Sequence, residues 1–201
     1  EDAVASGSNA CLGPDDVRSG EHAIAGSSVL LMQLEVPLET VKEAAMIAAK
    51  AGVPVILNPA PAQPLPDSLL KNIDILTPNE HEAELLTGIP VTGEKSASEA
   101  ARALIAKGIR RVLVTLGSNG VYCASDEFTG TIPPFLVDSV DTTAAGDVFN
   151  GVLATALAEG HFLPDAVRFA QAAAALSVTR LGAQPSVPHR DEIERFLGDF
   201  T

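Results

Sequence analysis

The chain has only two cysteines among its 201 residues, Cys11 and Cys123. They are too few and too far apart to form a disulfide framework. No C-x-x-C pair or Cys/His cluster has zinc-ligand spacing, and His81-Glu82-Ala83-Glu84 lacks the second histidine of a zincin helix. Basic residues are scarce as well: 13 Lys and Arg face 26 Asp and Glu, a formal net charge of -13. Nucleic acid and anionic lipid both need a basic face, so neither is an expected partner. No apolar run approaches the ~18 residues that cross a bilayer, and the most apolar stretch, 170–178, is broken by Gln171 and Ser177. There is no N-x-S/T sequon and no signal-like opening, so the expected setting is a reducing cytoplasm.

What is present suits a folded core. Hydrophobic residues make up 46% of the chain and charged ones 19%, which excludes disordered and fibrous classes. Residues 1–21 are rich in Gly, Ser, Asp and Asn and read as loops and turns. They open Glu1-Asp2-Ala3 without a Met, which suggests a missing upstream piece. Apolar runs at 28–34, 53–57, 73–76 and 111–115 read as strands. Between them, Pro37 opens a helix that Gly52 closes, and helices are expected over 79–87 and 96–107. Residues 121–124 and 132–137 read as two strands with no helix between them. Helices follow over 147–158, 164–179 and 191–197. Strand–helix alternation predicts one α/β domain over 1–201, with a mostly parallel sheet, helices on both faces and an antiparallel hairpin at one edge.

In such a sheet, ligands sit beyond the carboxyl ends of the strands. Glu35, Asn58, the segment 77–82 and the segment Thr115-Leu116-Gly117-Ser118-Asn119-Gly120 all fall there, although polar residues after strands are commonly turn formers. The strongest single feature is Asp141-Thr142-Thr143-Ala144-Ala145-Gly146-Asp147 before a long helix. Small residues let backbone N–H groups approach an anion, and the helix start adds its positive end. A carboxylate there is ill suited to holding phosphate and well suited to receiving a proton from an attacking hydroxyl. An ordinary helix start with Asp147 as its N-terminal carboxylate is the competing reading, and the residues by themselves leave both open. A G-x-x-x-x-G-K-[ST] loop, a G-x-G-x-x-G turn and a G-x-S-x-G elbow are all missing.

The segment 141–147, continued by Val148-Phe149-Asn150-Gly151, resembles the D-T-x-G-A-G-D signature of the ribokinase-like (PfkB) sugar kinases. Leu31-Met32-Gln33-Leu34-Glu35, Asn58-Pro59-Ala60-Pro61-Ala62, Thr77-Pro78-Asn79-Glu80, Val114-Thr115-Leu116-Gly117 and Gly182-Ala183-Gln184-Pro185-Ser186 match it in order and spacing. The likeness runs from Gly7 onward. It implies a three-layer α/β sandwich and an ATP-dependent kinase; on its narrowest reading the substrate is D-ribose, phosphorylated at the 5-hydroxyl. Fructokinase, ketodeoxygluconate kinase or nucleoside kinase activity, or a nucleotide-binding fragment without turnover, are the alternatives.

The resemblance also implies roles for individual residues. Asp147 matches the catalytic base, which also contacts the sugar, and Ala144, Ala145 and Gly146 match the anion hole. Asn79 and Glu82 match the N-x-x-E motif that organises Mg²⁺, largely through water. Asn79, Thr115, Gly117, Ser118, Gly120 and Gln171 match nucleotide contacts, with Gln171 bordering the adenine. Glu35 matches a sugar contact. Asp141, Thr143, Ser177, Arg180, Gly182 and Ser186 match the loops that cage an activating K⁺. Two departures stand out. Ala144 occupies the signature's first glycine, which costs about 1 kcal/mol or more if that position needs a positive φ. The family's N-terminal strand, part of its sugar pocket and its lid have no counterpart here, so the family's homodimer is doubtful for this chain.

Overall fold

The computed structural model describes residues 7–200; the part of the expected turn-rich opening before Gly7 lies outside them. The strands are β1 (Leu30–Met32), β2 (Val55–Leu57), β3 (Ile75–Leu76), β4 (Arg111–Thr115), β5 (Val121–Ala124) and β6 (Thr129–Ile132). They form a sheet in the order β1-β2-β3-β4-β5-β6. The first four strands are mutually parallel, and β5 and β6 add antiparallel, as the hairpin expected at one edge.

That order decides where the helices go. A parallel sheet that grows in one direction through right-handed crossovers places every crossover on the same face. The crossovers are α3 (Leu38–Ala51), α4 (Asp67–Leu70), α5 (Glu80–Thr87) and α6 (Glu94–Ala106). Their apolar stripes, Val41, Ala45 and Ala48, then Leu69 and Leu70, then Ala97, Ala101 and Leu104, pack on Val55, Leu57, Leu76, Val112 and Val114. Strand residues alternate between faces. Ile56, Ile75, Leu113, Val121 and Cys123 therefore face the other way, against α7 (Ala145–Ala158) and α8 (Leu163–Ser177) through Phe149, Leu153, Ala166 and Ala170. A last helix, α9 (Arg190–Gly198), packs on α8 through Ile193. Burial has pushed the pKa of the Cys123 thiol to about 12, as suits a packing residue in the second core.

Local chemistry sets several boundaries. Gly52 ends α3 with φ 75°, a left-handed conformation that a glycine adopts without a Cβ penalty. Residues 132–137 were expected as a strand, but β6 ends at Ile132 because Pro133 and Pro134 have no N–H to donate to a ladder. The expected turns up to residue 21 are largely helical: α1 (Pro14–Ser19) and α2 (Glu21–Ala25) follow a short 3₁₀ turn at Asn9–Cys11. Pro14 opens α1, and Asp16 accepts the Gly13 N–H at 2.8 Å. The pair is docked on α3 by Thr40, which donates to the Leu12 carbonyl at 2.7 Å, and by an Arg18–Glu43 ion pair at 3.0 Å. The short α4 was also unforeseen, because its two buried leucines sit in a proline-rich stretch. Among the described residues, no helix is long and apolar enough to cross a membrane.

Candidate active site

The carboxyl ends of the parallel strands and the N-terminus of α7 meet at one edge of the sheet. Two buried polar residues fix this junction. Thr77, just past β3, donates its hydroxyl to Asn150 Oδ1 at 2.7 Å, and the Asn150 side-chain amide donates to the Gly146 carbonyl at 2.9 Å. Thr77 is 2% exposed and Asn150 3%, so each satisfies the other where water cannot reach. Asn58, past β2, is also buried, and its Oδ1 has no partner among the described residues.

The first turn of α7 is open. Ala144, its N-cap, sits at φ 61° and ψ 10°, the left-handed region. The signature's glycine position therefore does need a positive φ, and the alanine is strained. The Ala145 N–H is spent on the Thr142 carbonyl at 3.3 Å. The N–H groups of Ala144, Gly146 and Asp147 have no partner among the described residues. Asp147 is exposed, and Gln33, one residue past β1, donates its side-chain N–H to Oδ1 at 2.5 Å. Because the strain is local, Ala144→Gly is expected to raise unfolding stability by about 1 kcal/mol. Urea denaturation of the two proteins checks this, and an unchanged or lowered midpoint would contradict it.

A cleft of about 720 Å³ opens beside this turn. Its volume lies within the range of small-molecule and cofactor sites. Asn79, Thr115, Gly117, Ser118, Gly120 and Gln171, all expected at a nucleotide, line it, as do Ala145 and Gly146. Thr115, the last residue of β4, is bridged to Asn79 beyond the end of β3, and its N–H donates to the Pro78 carbonyl at 2.9 Å. Gln171 is 7% exposed; its amide donates to the Ile132 carbonyl at 3.3 Å, and its Oε1 has no partner among the described residues. The opposite wall is Pro134, Phe135, Leu136 and Val137, together with Ser139. These wall residues were not foreseen, because their apolar run after two prolines reads as a strand. Leu136 is 79% exposed and lines the cleft rather than the core.

Asn79 and Glu82 form a reciprocal cap at the start of α5. The Glu82 N–H donates to Asn79 Oδ1, and the Asn79 N–H to Glu82 Oε2, both at 2.8 Å. Burial raises the pKa of Glu82 above the usual carboxylate value, against the lowering effects of the Asn79 hydrogen bond and His81. Glu82 Oε1 has no hydrogen-bond partner among the described residues. Glu35 is exposed, lies outside the cleft and makes no hydrogen bond or ion pair among the described residues.

The residues expected around K⁺ lie on two tethered loops. Asp141 accepts the Thr143 N–H on one oxygen and the Gly182 N–H on the other, both at 2.9 Å. The Thr143 side chain, then the Gly182 and Thr143 amides, hold this carboxyl below its ordinary pKa. Ser177 and Ser186 are buried, and their hydroxyls donate to the carbonyls of Ala174 and Ala183. Arg180 faces away from this arrangement, donating to Glu192 at 2.7 Å; with the His189 N–H it lowers the Glu192 pKa to about 2.

A family model described as pfkB family carbohydrate kinase matches residues 12–190. The chain belongs to the pfkB family of carbohydrate kinases. Among its members, the ribokinase of Haemophilus influenzae is 54% identical over 194 residues, covering 96% of this chain and 63% of that protein. The ribokinase structure from Thermotoga maritima superposes with a TM-score of 0.88 at 42% identity, covering 98% of this chain and 64% of that one. The Arabidopsis thaliana ribokinase, solved with ribose and ATP, gives 0.87 at 35% identity over 97% of this chain and 64% of its own. The chain thus spans a little under two thirds of these pfkB relatives, and its mixed sheet with helices on both faces is theirs.

Proposed function

We propose that the protein phosphorylates D-ribose at its 5-hydroxyl with ATP, giving D-ribose 5-phosphate. The observation that carries this reading is the first turn of α7, where the Asp147 carboxylate and unspent N–H groups stand beside a nucleotide-sized cleft. The likeness to ribokinases, one of them solved with ribose and ATP, supports the choice of sugar and donor. The cleft walls take the adenosine, and the partnerless Gln171 Oε1 suits the exocyclic amino group of adenine. The γ-phosphoryl group then faces the Gly146 and Asp147 N–H groups, which stabilise charge on its oxygens. Asp147 accepts the proton of the 5-hydroxyl as that oxygen bonds to phosphorus, and the bond to the bridging oxygen breaks to release ADP.

Among the described residues, no Lys or Arg lines the cleft, so the charge of a triphosphate there needs a cation. Mg²⁺ keeps several waters and binds through one or two carboxylates plus phosphate oxygens. Glu82, whose Oε2 is bonded to the cleft residue Asn79 and whose Oε1 has no partner among the described residues, fits that demand; the ion would neutralise charge on the β- and γ-phosphates. For K⁺, the hydroxyl and carbonyl oxygens of the loops around Asp141, Thr143, Ser177, Gly182 and Ser186 are suitable hard donors, and the site would set the loop that ends in Gly146. We assign Glu35, exposed beyond the end of β1, to the sugar on the family likeness alone.

The test is ADP release by the full-length protein with ribose, other pentoses and hexoses, in K⁺ and in Na⁺ at equal ionic strength. The expected result is turnover with ribose that exceeds the other sugars and is severalfold faster in K⁺. Release indifferent to the sugar would overturn the kinase reading, and equal rates in the two salts would remove the K⁺ site.

A further inference from the structure

Five helices carry a carboxylate at the third position of their first turn: Asp16 in α1, Glu82 in α5, Asp147 in α7, Asp165 in α8 and Glu192 in α9. Three of them do the same thing. Asp16, Glu82 and Glu192 each reach back and accept the N–H of the N-cap residue at 2.8 Å. Asp165 and Asp147 do not. The left-handed Ala144 breaks the usual extended N-cap geometry, and among the described residues the only hydrogen bond to the Asp147 side chain comes from Gln33. This donor comes from the end of β1, 114 positions away in sequence. An ionised carboxylate only accepts, so the amide presents its NH₂ and one oxygen of Asp147 is taken.

We infer that Gln33 is a positioning residue for the catalytic base: it fixes Asp147 Oδ1 so that Oδ2 is turned to the sugar hydroxyl. The inference rests on the kinase reading above. The residue type suits the task. A carboxylate freed from its own helix cap has several rotamers, and a misplacement of about 1 Å can cost as much as 10²-fold in rate. Arginine or lysine would also hold it, but would ion-pair with a group that must take up a proton. Glutamine supplies a neutral donor and leaves the charge of the carboxylate in place. The contact also ties β1 to α7, so the base is set by the sheet edge as well as by its own helix.

The test uses Gln33→Met, which keeps the shape without the donor, and Gln33→Glu, which replaces the donor with a second acceptor. In the full-length protein, Gln33→Met is expected to lower kcat about tenfold or more, with KM for ATP and for ribose within about twofold of wild type. Gln33→Glu is expected to lower kcat further, because two carboxylates would meet where one donor stood. A packing role would lower the melting temperature and rank the two variants by fit; a positioning role leaves the melting temperature within about 2 °C and ranks them by hydrogen-bond chemistry. Wild-type kcat in Gln33→Met overturns the inference, as does a rise confined to the KM for ribose, which would make Gln33 a sugar contact. A wild-type protein without sugar-dependent turnover would instead sink the kinase reading itself.

Discussion

Asp147→Asn is expected to lower kcat by 10²-fold or more while leaving ATP affinity within about twofold of wild type, because general-base catalysis supplies ~10²–10⁴ in rate. The substitution preserves size and the start of α7, so the N–H groups of Gly146 and Asn at 147 still face the phosphate. Only the ability to take the proton of the sugar hydroxyl is removed. Asp147 is exposed and contributes no helix cap, since its side chain is held by Gln33 rather than by the N-cap N–H. Loss of activity with unchanged melting therefore reports on chemistry and not on folding. Rates measured with ribose at saturating ATP, beside calorimetric titration with ATP, check both halves. Retention of more than a tenth of wild-type kcat would contradict the assignment of the base.

Gly120→Ala should act through structure instead. Gly120 links the 3₁₀ turn Gly117–Asn119 to β5, at φ 93° and ψ -147°. Side-chain-bearing residues rarely adopt that conformation, at a cost of order 1–3 kcal/mol. The space is closed as well. A Cβ on Gly120 would lie 2.3 Å from the Ile132 carbonyl oxygen, 3.1 Å from the Pro134 nitrogen and 3.2 Å from the Pro133 carbonyl carbon. All three are backbone atoms, which cannot step aside as a flexible side chain does. The end of β6 and the 134–137 wall of the cleft must move, adding roughly 1–3 kcal/mol for overpacking. The expected total is about 2–6 kcal/mol, a fall in Tm of about 10 °C, together with weaker ATP binding. Thermal melts and ATP titration of the variant measure both, and a Tm within about 2 °C of wild type would show that the backbone there gives way.

The two variants divide what could be read along the chain from what could not. The start of α7 and the cap at Asn79 and Glu82 are local signals: small residues before an apolar helix, and a polar residue followed three positions later by Glu. Strand ends at Thr77 and Thr115 are equally local, so the residues along one side of the cleft were legible. The hydrogen bond from Gln33 to Asp147 was not, since nothing at either position reports on a partner 114 residues away. The Thr77–Asn150 bridge was hidden in the same way, across 73 positions. The cleft's apolar wall was misread because Phe135, Leu136 and Val137 have strand-like composition, whereas the two prolines before them decide the outcome. In α1 and α2 the error ran the other way. Gly and Asp suggested turns, and docking on α3 through Thr40 and Glu43 stabilises helices too short to stand alone.

In the proposed reaction, Asp147 and the N–H groups beside it direct the γ-phosphoryl group of ATP to a primary sugar hydroxyl. Phosphorus-31 NMR of the full-length protein with Mg·ATP and ribose observes that transfer directly. The expected products are ADP and a sugar phosphomonoester in equal amounts, the new phosphorus resonance coupled to the two protons on carbon 5 of ribose. Inorganic phosphate in place of the ester, or an ester on the anomeric hydroxyl, would contradict it.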